Sequence, residues 1–346
     1  MGSSRAWRRP TLGAVAVRTG VSTATVSNAL NGTGRLSEET RRRVLAAARE
    51  LGYAPAGTAR ALARGDTGVL GLTMTTYGDL PVPYTAIPYY AHLTLGAMAA
   101  AHERGYLLLT LPSSMSPWMW LTTPMDGVIH VEPRADDPVR AILRERGIPM
   151  VSEGRPPVPH HGDAWVDADS GTGLRLLLDH LAHAGARRIG LALPLHDDAY
   201  PHLAAEAYRS WCAQHHAPVL IEEFTPRHYP TGEQEAVDRL LRHTPDAVIG
   251  LYSDSGHTIL SAAHRHGLRV PEDLLAACVS EDPAYATTTP PVTTLTLRPD
   301  LLGAEAVDLL IAVINARSGV NRNRLVEPVL IPRRSTQRGA PRKDEP

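Results

Sequence analysis

The chain has 346 residues, 43 % of them hydrophobic, with a net charge of −1, a length that fits a small domain plus a large two-lobed one better than a single core. No apolar run approaches the ~18 residues that would suggest a membrane span, and the N-terminal stretch carries charge without the apolar centre of a secretory signal, so the expected location is the cytoplasm, with no membrane partner. The charge is uneven: residues 1–65 hold eleven Arg against three Glu, a net +8, which leaves −9 for the remainder. A basic block on an acidic body suits a polyanion-binding head.

Residues 1–10 read as a disordered basic arm. TLGAVAVRTG (11–20) predicts a short helix ending at Gly20, and VSTATVSNALNG (21–32) a second helix capped by Ser22. In that second helix Val26 and Leu30, four apart, turn inward with Val21, leaving Thr23, Ala24, Thr25, Ser27 and Asn28 on the outer side. SEETRRRVLAAARELGY (37–53) predicts a third helix with Ser37 as its cap, Glu38 and Glu39 at its positive end, and Val44, Leu45, Ala48 and Leu51 on its apolar face. Residues 11–53 therefore form a headpiece, and 54–66, small and basic, a hinge.

From Gly68 onward short apolar runs alternate with amphipathic helical runs. The predicted strands are VLGLTM (69–74), YLLLTL (106–111), DGVIHV (126–131), IPMVSE (148–153), RIGLAL (188–193), VLIEEF (219–224), AVIGLY (247–252) and LLAACV (274–279). Helices are predicted around 89–104, 137–146, 170–184, 203–215, 232–242, 255–266 and 299–317. This alternation argues an α/β core of doubly wound parallel sheets. Its strands are too many for one sheet, so residues 67–334 are expected to form two lobes with a cleft between them, and 335–346 a disordered tail.

Chemistry of the catalytic kind is hard to find. Pairs such as His160-His161 and His215-His216 lack Cys or carboxylate partners at metal spacing. There is no phosphate loop, and Ser113, Ser114 and Ser253 lack a nucleophile-elbow context. Cys212 and Cys278 have neither metal nor redox spacing and read as reduced, buried thiols. The expectation is a non-enzyme with no cofactor and no bound metal.

The continuous segment VSTATVSNALNGTGRLSEETRRRVLAAARELGYAP (21–55) resembles the headpiece of the lactose-repressor family. The resemblance implies a second helix lying in the DNA major groove. Carried over, Thr23, Ala24 and Asn28 read base edges, while Thr11, Ser22, Thr25, Ser27, Asn31 and Tyr53 position the backbone or pack beside it. Asn28 stands where the family commonly has Arg; Asn pairs with adenine rather than guanine, so a different base is expected at that step. In the hinge, Leu62 falls on the family's minor-groove wedge, with Ala59 allowing close approach. Because one head reads few base pairs, the design implies a palindromic double-stranded operator bound by a homodimer, or by a tetramer built from dimers.

The core is similar, more loosely, to the same family and to periplasmic sugar-binding proteins. That implies a small-molecule effector, sugar or sugar-like, in the cleft at the carboxyl ends of the strands. Tyr89 and Tyr90 match an aromatic pair bordering the ligand, Arg155 a loop position near it, and Tyr252 with Asp254 a carboxylate-bearing turn. Asp169 matches another ligand position; it and Asp254 suit helix capping equally well. Two departures stand out: Ala204 replaces a ligand-binding Arg, and Ser280 replaces an Asp. Two other readings remain beside the ligand-responsive repressor. One is a periplasmic binding protein, which the headpiece contradicts; the other is an architectural DNA-binding protein whose core only dimerises.

Overall fold

The structure is a computed structural model that describes residues 10–53, 66–74, 87–195, 199–225, 230–316 and 318–338; the calls on Ala59, Leu62 and the 1–9 arm lie outside them. The chain divides into two units, Met1–Gly68 and Val69–Pro346.

The small unit is built on three polar caps. Thr11, Ser22 and Ser37 lie in extended backbone, and their hydroxyls accept from Ala14 N (3.2 Å), Thr25 N (3.1 Å) and Thr40 N (3.2 Å). Each satisfies one N–H that a helix start leaves open, worth about 1 kcal/mol. They open α1 (Leu12–Thr19), α2 (Thr23–Asn31) and α3 (Glu38–Leu51). Gly20, Gly32 and Gly52 end them at φ 67°, 70° and 65°, a region in which a Cβ is penalised.

Val15, Ala16, Val26, Ala29, Val44, Ala47 and Ala48 form the core of this unit, ringed by half-buried Val21, Leu30, Leu36, Leu51 and Tyr53. The expected inner position of Leu30 is thus shared. Ala29 takes the fully buried place, since small side chains on α2 and α3 let the two helices approach closely.

The large unit begins with β1 (Val69–Met74), α4 (Pro88–Glu103), β2 (Leu107–Pro112), α5 (Pro117–Thr122), β3 (Gly127–Val131), α6 (Pro138–Glu145), β4 (Met150–Glu153) and β5 (Trp165–Ala168). The chain then enters a second lobe through α7 (Ser170–His183), β6 (Ile189–Pro194), α8 (Ala199–Gln214), β7 (Leu220–Phe224), α9 (Thr231–Arg242), β8 (Ala247–Gly250), α10 (Ser255–Arg265), β9 (Leu275–Val279) and β10 (Thr293–Thr296). It returns to the first lobe with α11 (Pro299–Ile314) and β11 (Asn323–Val326), and ends in the second with β12 (Val329–Ile331).

The first sheet runs β11-β5-β4-β3-β1-β2, all parallel; the second runs β12-β10-β9-β8-β6-β7, parallel except for the antiparallel edge strand β12. The chain therefore crosses between lobes three times, near 168–170, 296–299 and 326–329. β3, β6, β8 and β9 are buried along their whole length, the reason they read as unbroken apolar runs: helices cover both faces of a parallel sheet. α11 packs back on α4 at two glycines. A Cβ on Gly96 would collide with Asp300 O, and one on Gly303 with Leu93 O.

Several expectations shift. The helix expected from 203 already includes Ala199, and the segment 112–124 contains the helix α5 around buried Trp120. β5, β10, β11 and β12 lie outside the expected strands; β5, β10 and β11 mix polar and apolar residues, and β12 is an apolar run of only three. Nor is 335 the start of a disordered tail. Ser335 and Thr336 are buried; the Ser335 hydroxyl donates to Ala276 O (2.6 Å) and accepts from Thr293 N (2.8 Å). No helix among the described residues is long and apolar enough to cross a membrane.

Candidate functional site

Two sites emerge, one in each unit. On α2, Thr23, Ala24 and Asn28 are exposed, while Val26 and Ala29 on the opposite side are buried. The cap makes this helix start rigid, for Ser22 also exchanges a hydroxyl bond with Thr25 (2.9 Å). Ser27 and Thr25 are half-buried, and Thr11 caps α1. Asn31 is the last residue of α2. Tyr53 lies half-buried against the headpiece core, its N–H bonded to Ala48 O (2.8 Å). Asn28 Oδ1 accepts from the Thr33 hydroxyl (3.4 Å), and its Nδ2 lies where a Cβ on Gly34 would stand only 3.0 Å away. A rigid helix thus displays two short side chains and one carboxamide, groups suited to base edges.

The second site lies at the carboxyl ends of the first lobe's strands. Tyr89 and Tyr90 occupy the first turn of α4, ring centroids 5.1 Å apart and nearly perpendicular. Tyr89 donates to Glu153 Oε1 (2.7 Å), and Tyr90 donates to Glu132 Oε2 (2.6 Å). Glu153 ends β4 and is 2 % exposed. Glu132 follows β3 at φ 47°, a strained conformation for a side-chain-bearing residue. Burial, and then the negative charges of Glu153, Glu132 and Asp167, hold the Tyr89 hydroxyl well above its usual pKa, so it remains a donor.

Beside them the Arg155 guanidinium stacks 4.9 Å over Trp165, with its Nε 3.5 Å from Asp167 Oδ2. Burial pushes Asp167 up to about 7, with Arg155 opposing the shift. Asp169 caps α7, accepting from Thr172 N (3.1 Å) and Thr172 Oγ1 (2.8 Å).

The second lobe supplies the turn 250–255. Tyr252 is half-buried, edge-on to Phe224 at 5.4 Å. Asp254 is exposed and precedes α10 without capping it. The turn is held from below. Tyr252 N donates to Ser255 Oγ (2.9 Å), which donates in turn to Glu233 Oε1, while Thr258 donates to Glu233 Oε2 (3.3 Å). Ser253 O accepts from Ser280 Oγ (2.9 Å) and Tyr285 OH (2.7 Å).

Ser280 is 5 % exposed and also accepts from Asp282 N (3.1 Å). Its hydroxyl is engaged in the frame of the lobe. Its neighbour Glu281 accepts from Thr296 Oγ1 (2.6 Å) and Leu297 N (2.8 Å) at the second crossover. Burial raises Glu281, and His92 of α4 lowers it, so its carboxylate lies within the field of the first lobe. Ala204 is 1 % exposed in α8, part of the core.

Residues 11–56 match the model described as bacterial regulatory proteins, lacI family, and residues 178–336 the periplasmic binding protein-like domain. The HTH-type transcriptional regulator CelR of Thermobifida fusca is 31 % identical over 318 residues, covering 88 % of this chain and 92 % of that protein. The chain belongs to the LacI family of bacterial regulatory proteins. The ribose operon repressor of Escherichia coli (strain K12) is 29 % identical to this LacI-family regulator over 334 residues, 93 % of this chain and 98 % of that one. A solved CelR–cellobiose complex superposes with a TM-score of 0.71 at 28 % identity, covering 94 % of this chain and 100 % of the other. The Lac repressor dimer bound to operator and the anti-inducer ONPF shares the fold at TM-score 0.81 and 22 % identity, over 96 % and 100 %.

This regulator is accordingly a helix-turn-helix transcriptional regulator with a periplasmic-binding-protein-like core. Sequence reasoning missed Glu132, Glu153, Asp167, Glu233 and Glu281. Three of these five, Glu132, Glu153 and Glu281, stand at the end of an apolar strand run or just after it, at the edge where parallel α/β sheets place ligands. An acid in that position was a readable signal.

Proposed function

We propose that this regulator is a repressor that binds an inverted-repeat operator as a homodimer in the cytoplasm, performs no catalysis, and changes operator affinity when a small molecule enters the cleft. The observation that carries this is α2: a capped helix on a buried core, displaying Thr23, Ala24 and Asn28 outward. The two solved relatives support the rest. One holds cellobiose, and the other is a dimer on its operator.

In this reading Ser22, Thr25 and Ser27 orient the helix on the backbone with Thr11, Asn31 and Tyr53, and Leu62 wedges the minor groove beside Ala59. Tyr89, Tyr90, Arg155, Asp169, Tyr252 and Asp254 surround the effector. Because the chain crosses between lobes three times, a ligand that draws the lobes together changes the geometry of the segment leading to the heads. Couplings of that kind amount to about 1–3 kcal/mol.

The test is selection of random duplexes and genomic fragments on the full chain at physiological salt. Enrichment of a two-fold symmetric site, with discrimination that survives rising salt, is the expected outcome. Sequence-blind binding that disappears with salt, in the presence and absence of cell extract, overturns it.

A further inference from the structure

The turn after α2 is built around Asn28. Gly32 ends the helix at φ 70° and Gly34 follows at φ 75°, so two left-handed residues flank Thr33. These two reversals curl the chain back toward the last turn of α2. The N–H groups of Gly32 and Thr33 both donate to Asn28 O, the latter at 3.0 Å. The side chain is held as well. The Thr33 hydroxyl donates to Asn28 Oδ1 at 3.4 Å, and Gly34 lies so near that a Cβ there would stand 3.0 Å from Nδ2 and 3.3 Å from Cγ.

An exposed carboxamide ordinarily swings about its last torsion, whose minima are broad and roughly two-fold. Reading adenine requires a fixed plane, with Oδ1 facing the N6 donor and Nδ2 facing N7. Turning that plane breaks one of the two bonds, and reversing it sets donor against donor. The two lone pairs of Oδ1 allow it to accept from Thr33 and from a base together. At 3.4 Å the bond from Thr33 is longer than the ~2.8 Å usual for a hydroxyl donor, so it adds little to stability. Its effect is on direction.

We infer that Thr33 is a positioning residue for DNA recognition: its hydroxyl, with Gly34 beside the amide, fixes the carboxamide plane of Asn28 and so sharpens the choice of base that Asn28 makes. A fixed plane does not turn to suit a wrong base, so the mismatch stays uncompensated. The inference rests on the base-reading role proposed for α2 and assigns part of that specificity to a residue beyond the helix.

The experiment is quantitative selection of operator half-site variants on the full chain at one salt concentration, comparing the native protein, Thr33→Val, Asn28→Ala and the double variant. Thr33→Val keeps the branched shape and removes the hydroxyl from an exposed residue. Asn28→Ala identifies the base pair that Asn28 reads. At that base pair Thr33→Val should reduce discrimination about threefold, the scale of one weak neutral hydrogen bond. Preferences at the other positions and sequence-blind affinity should stay as they are. In the Asn28→Ala background the same substitution should change nothing, and Thr33→Ser, which keeps the hydroxyl, should retain the native preference. If the valine variant does not fold, Thr33→Ala takes its place in the cycle.

Native discrimination in Thr33→Val overturns the inference and leaves Asn28 as the base reader. A loss that persists without Asn28, or that falls on another base pair, also overturns it, because Thr33 would then be touching the DNA itself. An Asn28→Ala protein with unchanged preference at every position overturns the inference together with the base-reading role of Asn28.

Discussion

Glu233 offers a quantitative test of how the second lobe is held together. Its carboxylate is fully buried on α9, receives hydroxyl bonds from Ser255 and Thr258, and lies in the repulsive field of Asp254. Burial is the largest influence and pushes its pKa from 4.5 up to about 7. A raised carboxylate pKa means that the folded state prefers the protonated form. The contribution is therefore fully present below the unfolded value and is lost as the pH rises toward the folded one. Above about pH 7 the folded state carries a penalty of about 3 kcal/mol.

Glu233→Gln removes the titration. Any fixed cost of fitting an amide beside Ser255 and Thr258 is independent of pH and cancels in the comparison. The stability difference, variant minus native, should thus move in favour of the variant by about 2.5 kcal/mol between pH 5 and pH 8. Urea unfolding followed by tryptophan fluorescence reads this out, because Trp118, Trp120, Trp165 and Trp211 all lie in the large unit. Parallel stability curves for the two proteins, or a difference moving the other way, would refute the reasoning.

Three further outcomes are expected. Asn28→Ala should change base preference at one position of each operator half-site, by about 1–3 kcal/mol, and leave sequence-blind affinity at matched salt unaltered; parallel selections on the two proteins check it. Leu62→Ala should weaken specific binding far more than non-specific binding, since prying open a base step is a few kcal/mol that only a fitted wedge recovers; equal losses in a salt-matched titration would remove Leu62 from that role. Gly96→Ala places a methyl against Asp300 O, where α4 and α11 pack backbone to backbone, and should destabilise the large unit by about 1–3 kcal/mol in urea, whereas Ala99→Ser, on the exposed side of α4, should not.

What was legible in the sequence was local. Ser22 and Ser37 announce helix starts because a hydroxyl at that position satisfies an N–H within three residues. Gly20, Gly32 and Gly52 announce helix ends because they adopt φ values that other residues resist. Runs such as GVIHV and LAACV announce central strands because a parallel sheet covered on both faces leaves no polar side. The outward face of α2 and the two-lobed α/β core followed from such signals, and the family from the resemblance of residues 21–55 to the lactose-repressor headpiece. The short strands β5, β10, β11 and β12 did not: β5, β10 and β11 mix polar with apolar residues and β12 is only three residues long, so their pairing partners define them.

The functional cleft belongs to tertiary structure for the same reason. Tyr89 meets Glu153 across 64 positions of sequence and Tyr90 meets Glu132 across 42; neither pairing has a local signature. Ser280, polar and just past a strand, has a hydroxyl that only the fold joins to Ser253 O and Asp282 N. Glu233 looked like an ordinary acid in the first turn of a helix, and only the packing of α10 against α9 turned it into a buried, titrating support for the ligand-side turn. Caps, turns and apolar runs act within a few residues and are written in order. Burial, charge fields and the completion of hydrogen bonds arise when distant segments meet, and they determine what the cleft can hold.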